Sequence, residues 1–199
     1  MAVYKCSIHV FNWLDKLLVA PLLLYRRLRY GYTFRRIPLV NSKKYAIVDQ
    51  CDYYWLSQYT WLEDKTHYSY SAVCLLYRGR RSTLVNMHRL IMSAPKHLFV
   101  DHINRNGLDN RRANLRLATH AQNSQNRSPS TRTGKTSKYK GVYWYRNRRK
   151  WRSCIRANNK LIFLGQFDTE IEAAKAYDEA ARRYHGRFAS PNFTQQVSG

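Results

Sequence analysis

The sequence predicts an α+β protein, because stretches with the two-residue period of strands occur beside stretches with the spacing of helices. Three observations support that class. Residues 151–157 alternate as a half-buried strand does, and residues 171–184 carry apolar side chains at helical spacing. Residues 101–123 run from a strand end through an Asn-rich turn into a helix start, where Thr119 and Gln122 have capping-box spacing. A length of 199 residues allows one medium domain or two small ones.

The C-terminal part predicts a three-stranded antiparallel sheet with one helix packed on it. Thr169 and Glu172 have capping-box spacing at the start of that helix. Because side chains alternate across a strand, Trp151, Ser153 and Ile155 should face the helix and Arg152 and Arg156 should face outward. In the first strand Val142 and Trp144 should point inward and Tyr143 and Tyr145 outward. The expected strands are residues 141–145, 151–157 and 161–165, with a hairpin turn at 158–160.

This part of the chain resembles the AP2 DNA-binding domain over about 55 residues. The resemblance implies that the sheet lies in the major groove of double-stranded DNA and that its outward side chains contact the DNA. Arg152 and Arg156 would read guanine edges, whereas turn arginines would contact phosphate. The matching residues are Tyr139–Val142, Trp151, Ile155, Arg156, Phe163–Phe167, Glu172–Ala181, Asn192 and Phe193. The candidate DNA-contact residues are Tyr143, Tyr145, Arg146, Arg148, Arg152 and Arg156.

Four positions depart from the plant members of that family. Tyr143 and Tyr145 stand where those proteins have arginine, Cys154 where an acid is common, and Phe163 where a tryptophan is common. The DNA target of the plant proteins therefore does not transfer to this chain. Exposed tyrosines also suit any strand surface, and arginines can line a merely solvated strand.

A second segment, residues 101–123, brings an acid, an imidazole and two amides into one short stretch. This layout could place a carboxylate, an imidazole and an amide around a single metal ion that promotes phosphodiester hydrolysis. Taken singly, each of these residues is common in turns and at surfaces. The argument rests on their combination with a helix start directly behind them.

The segment resembles the HNH, or ββα-metal, endonuclease motif of phage-type and homing nucleases. The resemblance implies that Asp101 binds the metal, His102 is the general base, Asn114 orients the loop and the base, and Asn123 is the second metal ligand. An amide oxygen suits a hard cation such as Mg²⁺ better than Zn²⁺. A His-Arg pair often precedes the motif in this family, so His88 could pack or touch phosphate, and His120 would neighbour the site.

The resemblance implies a metal-dependent DNA endonuclease of the homing or mobile-element type. His102 would take a proton from water, and one such active site should nick one strand. One alternative is a non-enzymatic, sequence-specific DNA-binding transcription regulator in which the nuclease site is idle. Another is an RNA-binding protein, although the C-terminal module lacks the exposed aromatic signature of an RNA-recognition motif.

The charge of the chain independently predicts a polyanionic partner. There are 35 Lys and Arg against 12 Asp and Glu, a formal net charge of +23. Between Asp109 and Asp168 the chain has no carboxylate and carries 15 basic residues. Ordinary surfaces mix both signs, so a run of one sign favours nucleic acid, although charge alone does not distinguish DNA from RNA.

Four segments are predicted along the chain. Residues 1–36 are an N-terminal extension of unclear role, and residues 37–127 form the nuclease domain. Residues 128–137 are polar and rich in Ser, Thr and Gly, which is typical of a flexible linker. Residues 138–193 form the AP2-like domain. The oligomeric state does not follow from the sequence, and a monomer is compatible with it.

The extension and the cysteines bear on location. The longest clean apolar run, residues 17–25, is too short to span a bilayer, and a signal-peptide cleavage site is not evident. A helix packed on the body, a dispensable extension and a membrane-surface helix remain alternatives. Cys6, Cys51, Cys74 and Cys154 form no CxxC pair, which argues against structural zinc. A cytoplasmic protein with reduced thiols is expected, with neither a small-molecule cofactor nor a membrane partner.

Overall fold

The computed structural model describes residues 8–65, 70–78, 81–126 and 136–193. Within those residues the chain is a mixed α/β protein with several small sheets, as the sequence predicts. The helices are α1 (Ile8–Tyr30), α2 (Gln50–Leu56), α3 (Met87–Ile91), α4 (His120–Gln125) and α5 (Glu170–His185). The strands are β1 (Arg35–Pro38), β2 (Tyr45–Val48), β3 (Leu62–Lys65), β4 (Tyr70–Arg78), β5 (Arg81–Asn86), β6 (Phe99–His102), β7 (Leu115–Ala118), β8 (Val142–Tyr145), β9 (Lys150–Ala157) and β10 (Lys160–Phe167).

The strands pair mostly with their sequence neighbours. Two sheets have three strands, in the orders β3-β4-β5 and β10-β9-β8, and two have a pair each, β1-β2 and β6-β7. The strands of both three-stranded sheets pair antiparallel, and so do β1 and β2. Short connections between neighbouring antiparallel strands explain this simple order.

The chain divides into two compact units. The first comprises Met1–Lys96 and His102–Leu117, and the second comprises His97–Asp101 and Ala118–Gly199. The predicted linker at 128–137 lies almost entirely on residues 127–135, which are outside the described residues. The bounds of the four predicted segments therefore stay predictions.

Large apolar side chains from separate elements form the core of the first unit. Leu39, Leu56 and Met87 are at most 2% exposed, and Trp61 is 1% exposed. The indole nitrogen of Trp61 donates to the Leu56 carbonyl at 2.8 Å, so its polar atom is paired inside the core. This unit supplies a rigid support for the loop that follows β6.

Polar contacts hold α1 on the first unit. Arg35 donates to the Asp15 carboxylate at 2.8 Å, and the Tyr54 hydroxyl donates to the same oxygen at 2.7 Å. The Arg26 guanidinium lies 4.4 Å from the centre of the Phe34 ring and also donates to the Phe34 carbonyl. The extension at 1–36 therefore contains a helix that contacts this unit.

In the described part of the chain, no helix combines the length and the apolar content that a membrane span requires.

The second unit contains the predicted three-stranded sheet with α5 packed on one face. Ile155 packs with Tyr177 and Ala181 of the helix, and Val142 packs with Ala173 and Ala174. Ser153 is fully buried beside them, whereas Arg156 is exposed. The inward and outward assignments derived from strand alternation are confirmed at these positions, and small alanines let the helix approach the sheet closely.

Local chemistry fixes the turn and the helix start of this module. Asn158 and Asn159 both have positive φ, 48° and 61°, which matches the hairpin turn expected there. Thr169 accepts from the Glu172 backbone at 3.2 Å, and Glu172 accepts from the Thr169 backbone at 3.1 Å. The predicted capping box is confirmed, and it stabilises the first turn of α5.

Asn192 joins the two ends of the module. Its side-chain oxygen accepts from the Lys140 backbone at 2.6 Å, and its amide nitrogen donates to the Lys140 carbonyl at 3.2 Å. The carboxylate of Asp178, which is 2% exposed, accepts from the backbone nitrogens of Asn192 and Phe193 at 2.6 and 2.9 Å. The chain therefore enters and leaves the module at one place.

We expect Gly141→Ala to destabilise the second unit by about 2–4 kcal/mol, because it combines a positive φ with a steric clash. Gly141 has φ +75°, and a Cβ there would lie 2.0 Å from the Tyr177 ring. Chemical denaturation followed by tryptophan fluorescence measures the loss. Gly31→Ala is the control, since Gly31 has φ +79° with open space around it, and should cost about 1 kcal/mol. Equal losses from the two changes would show that the clash has no effect.

Candidate functional site

His102, at the end of β6, has an oriented imidazole. It is half-buried, and its Nε2 lies 3.3 Å from the side-chain oxygen of Asn110, which is fully buried. The Asn110 amide nitrogen faces the Gly107 carbonyl at 3.5 Å, which fixes the orientation of that amide. Because an amide oxygen only accepts hydrogen bonds, this contact favours the tautomer with the proton on Nε2, in which Nδ1 is the basic nitrogen.

Asn114 fixes the loop between β6 and β7. Its side-chain oxygen accepts from the Asn104 backbone at 2.9 Å, and its amide nitrogen donates to the Asn104 side chain at 2.9 Å and to the Asp109 carbonyl at 2.7 Å. Asn114 is 6% exposed. All of its side-chain polar atoms are therefore used to hold one loop conformation.

The same loop is attached to β2 through the main chain. The Ile47 nitrogen donates to the Leu108 carbonyl at 2.8 Å, and the Asn110 nitrogen donates to the Ile47 carbonyl at 2.7 Å. Asp109, which is 3% exposed, forms an ion pair with Arg111 at 2.6 Å. The residue that contacts His102 is thus fixed by a strand of the unit. Asn110 and Asp109 are contributors that the sequence reasoning treated only as turn residues.

His88, from α3, packs against His102. The two rings are 5.1 Å apart at their centres and nearly perpendicular, at 87°. Burial, with His102 and Arg89 nearby, lowers the pKa of His88 to about 3. Its Nδ1 is buried and has no hydrogen-bond partner among the residues that the structure describes. His88 is therefore neutral at physiological pH and packs against the site.

We expect His88→Gln to make the protein less sensitive to mild acid. An unfolded chain protonates this histidine near its ordinary pKa of 6.5, but the folded chain does so only near 3. The stability that comes from keeping His88 neutral is therefore fully present above pH 6.5. It is lost as the pH drops toward 3, by at most about 1.4 kcal/mol per pH unit. Urea denaturation at pH 7, 6 and 5 should give a steeper decline for the wild type than for His88→Gln. His97→Gln, at an exposed histidine, should follow the wild type.

Asp101 belongs to the second unit and is 5% exposed. Its two carboxylate oxygens accept hydrogen bonds from the Asn126 amide nitrogen at 2.9 and 3.1 Å. Asn126 is the C-terminal cap residue of α4 and is itself 5% exposed. A buried carboxylate with a fixed orientation is suited to a cation. The sequence reasoning missed Asn126, and its only local signal is its place directly after the helix.

The helix α4 begins as predicted and carries Asn123. Thr119 accepts from the Gln122 backbone at 3.3 Å, and Gln122 accepts from the Thr119 backbone at 2.8 Å, which confirms the capping box. Asn123 is half-buried on the first turns, and its backbone nitrogen donates to the Thr119 carbonyl at 2.9 Å. The exposed His120 lies edge-on to Phe99, with ring centres 5.5 Å apart.

The metal-ligand types available here are few. In the part of the chain that the structure describes, no three or more His, Cys, Asp or Glu residues gather into a metal-binding group. The predicted set of Asp101 and Asn123 instead combines one carboxylate with one amide oxygen. Such an oxygen set fits a hard divalent cation that keeps several waters. The burial and fixed orientation of Asp101 agree with that fit.

The predicted DNA-contact residues lie on the second unit. Tyr143 and Arg152 are cross-strand partners on the face of the sheet away from α5, and Arg156 is exposed on that same face. The Arg152 guanidinium lies 3.4 Å from the centre of the Tyr145 ring, which restricts its rotamers. The exposed Arg146 and Arg148 lie in a single 3-10 turn between β8 and β9.

Two further residues of that face were not among the predicted contacts. Leu161 is paired with Arg156, and Phe163 is paired with Cys154. Paired residues of an antiparallel sheet point to the same side, so both share the face of Arg152 and Arg156. They are 65% and 55% exposed. Strand alternation carried through β10 could have identified them.

The Tyr143 hydroxyl and the Cys154 sulfur are 3.7 Å apart on this face. That contact raises the pKa of Tyr143, and partial burial acts in the same direction. Tyr143 is therefore a neutral phenol at physiological pH, able to donate or accept a hydrogen bond.

Two family matches cover separate parts of the chain. The HNH endonuclease family matches residues 93–125, and the AP2 domain family matches residues 137–187. An uncharacterized HNH endonuclease, L560, of Acanthamoeba polyphaga mimivirus is 32% identical over 139 residues, which are 69% of this chain and 68% of that protein. The chain belongs to the HNH endonuclease family. Protein 3.8 of Escherichia phage T7 is 36% identical to this HNH family member over 95 residues, 48% of the chain and 76% of that protein.

The C-terminal part is also similar to plant proteins. The AP2/ERF and B3 domain-containing transcription repressor TEM1 of Arabidopsis thaliana is 47% identical over 64 residues, 32% of this HNH family member. The match spans only 18% of TEM1. An HNH domain followed by an AP2 DNA-binding domain supports a DNA nuclease. HNH nucleases generally use divalent metal ions.

Proposed function

We propose that this protein is a DNA endonuclease that nicks one strand by metal-dependent hydrolysis, guided by its AP2-like module, as homing or mobile-element nucleases do. The observation that carries the proposal is the oriented imidazole of His102. Asn110 holds its Nε2 at 3.3 Å, so Nδ1 is the atom that would accept a proton. Asp101, the preceding residue, has a carboxylate of fixed orientation.

His102 acts as the general base. Imidazole is the side chain best suited to exchange protons near neutral pH, so His102 would take a proton from a water in reach of Nδ1. The water oxygen then attacks the phosphorus in line with the departing 3′ oxygen. Asn114 keeps the loop in one conformation, so Asn110 and hence the imidazole stay in place while the proton moves. One such site cuts one strand, and cutting both strands needs a second copy.

Asp101 and Asn123 would hold the divalent cation, for which we propose Mg²⁺ because both ligands are oxygens. When bound, the cation would neutralise charge on the phosphate and the leaving oxygen. The hydrogen bonds from Asn126 orient the Asp101 carboxylate. Oriented ligands bind a metal more tightly because less freedom is lost on binding.

The AP2-like module is proposed to supply most of the affinity for double-stranded DNA. Arg152 and Arg156 are placed on the outward sheet face to read guanine edges, and Arg146 and Arg148 in the turn are placed to contact phosphate. Tyr143 and Tyr145 complete that face. Residues 37–127 would then form the catalytic domain and residues 138–193 the targeting domain.

Cleavage of supercoiled plasmid and of host DNA tests the proposal. We expect open-circle product in the presence of Mg²⁺ and none in EDTA. Asp101→Asn should behave as the EDTA sample does, while Asp64→Asn, at a carboxylate on β3 outside the motif, should cut normally. Mapping the nick would give the target sequence.

Two results would count against the proposal. Cutting that persists in EDTA would remove the role of the metal. Tight binding with no cutting of either DNA would favour the transcription-regulator alternative. A competition between duplex DNA and RNA separates both from RNA binding.

A further inference from the structure

The outward face of the β8-β9-β10 sheet combines cations with a group of exposed apolar side chains. Leu161, Phe163 and Tyr143 are 65%, 55% and 40% exposed. Pairing across the strands places Leu161 beside Arg156 and Phe163 beside Cys154. Leu161 and Phe163 therefore lie on the edge strand β10, directly beside the arginines of β9.

Two of these apolar side chains, Tyr143 and Leu161, border a shallow depression. Tyr143, Cys154 and Leu161 line an open cavity of about 420 Å³ on this face. The Arg152 guanidinium lies 3.4 Å from the Tyr145 ring centre and 5.6 Å from that of Phe163, so two rings hold it beside the apolar group. The face thus offers a cation in a defined place and an apolar surface next to it.

Each part of this surface matches a different part of duplex DNA. No carboxylate occurs between Asp109 and Asp168, so the strands β8, β9 and β10 carry cations and no acidic side chain that would repel phosphate. Phosphate oxygens offer no good partner for leucine or phenylalanine, and a contact with deoxyribose carries no sequence information. In the major groove the apolar group that a protein can read is the C5-methyl of thymine.

We propose that Leu161 and Phe163 contact thymine methyl groups, so that the module prefers duplex DNA with thymines about two base pairs apart. The spacing follows from the strand, because two residues span about 6.7 Å and two base pairs rise by about the same distance. The inference rests on the proposed function of the module as the DNA-targeting domain. The proposed target then contains thymine methyl groups as well as the guanine edges that Arg152 and Arg156 are proposed to read.

The test replaces thymidine with deoxyuridine, which removes the C5-methyl group of the base and changes nothing else on it. The full-length protein is first used to select tight ligands from a random duplex pool, without Mg²⁺ so that cutting does not interfere. Single thymines of the best ligand are then replaced by deoxyuridine, and each Kd is measured by fluorescence anisotropy. We expect about fourfold weaker binding at two positions, as for loss of one buried methyl group.

Variants assign the two positions to side chains. In Phe163→Ala one of the two deoxyuridine effects should disappear, and in Leu161→Ala the other should. Ile171→Ala is the matched control, since Ile171 is an equally exposed apolar residue, at 51%, on the helix side of the module. It should keep both effects.

The possible failures are distinguishable. The methyl contact would be overturned by a selected ligand without thymine, or by deoxyuridine replacements that all leave the Kd of the parent ligand unchanged. Either result would leave DNA targeting intact. Absence of binding to any duplex would instead overturn the proposed function of the module. The comparison of thymine with deoxyuridine in the wild-type protein does not depend on the folding of any variant.

Discussion

We expect His102→Ala to remove DNA cleavage while leaving DNA affinity nearly unchanged. A positioned general base contributes about 10²–10⁴-fold to the rate. A loss of that size should bring the nicking rate of the variant below detection. The side chain is only half-buried and contacts the Asn110 amide and the His88 ring. We expect its loss to leave the first unit folded, because Asn114 holds the loop independently. The measurement pairs a plasmid-nicking time course with a binding assay at fixed salt.

The matched control for that change is His97→Ala, because His97 is an exposed histidine close in sequence. It should nick DNA at the wild-type rate. If His102→Ala lost DNA binding as well as cutting, His102 would be a structural residue or a DNA contact. If it still nicked at the wild-type rate, another group would be the base.

The second large effect should come from Asn114→Ala, which we expect to destabilise the protein by about 3 kcal/mol. The change deletes three hydrogen bonds, to the Asn104 backbone, the Asn104 side chain and the Asp109 carbonyl. A polar group left buried without a partner costs about 1–3 kcal/mol, but Asn104 is exposed, so water offsets part of the loss. Chemical denaturation gives the free energy of unfolding.

Asn106→Ala separates this effect from a general cost of changing the loop. Asn106 is exposed, and its side chain accepts one hydrogen bond, from the Leu108 nitrogen at 3.1 Å. Its loss should cost less than about 1 kcal/mol. Similar costs for Asn106 and Asn114 would mean that the loop does not depend on the buried amide. At a temperature where Asn114→Ala is still folded, its nicking rate should also fall.

Elements encoded by neighbouring residues were predictable. The capping boxes at Thr119 and Thr169 depend on pairs only three residues apart, and the facing of Ile155 and Arg156 follows from strand alternation. The hairpin turn at 158–159 is a local backbone preference. Such features depend on few residues, so a single sequence contains them in full.

Contacts between distant residues were not predictable. The hydrogen bonds from Asn126 to Asp101 join residues 25 apart in sequence, and Ile47 fixes the loop of Asn110 from 63 residues away. Neither Asn126 nor Asn110 has a local pattern that marks it. A helix packed on the body was one of several alternatives for residues 1–36. The sequence did not decide among them, because α1 continues through Pro21 and is joined to its unit by distant polar contacts of Asp15 and Arg26.

The hydrogen bonds between Asn192 and Lys140 bear on how the module could move between genes. Lys140 and Asn192 are hydrogen-bonded neighbours although 52 residues separate them. A segment whose two ends meet can be placed at a chain terminus or inside a surface loop of another protein, because the host needs to open by only a few ångströms. Recombination that joins this segment to a new catalytic partner would therefore keep its recognition surface intact, and the same property suits it to grafting onto designed nucleases.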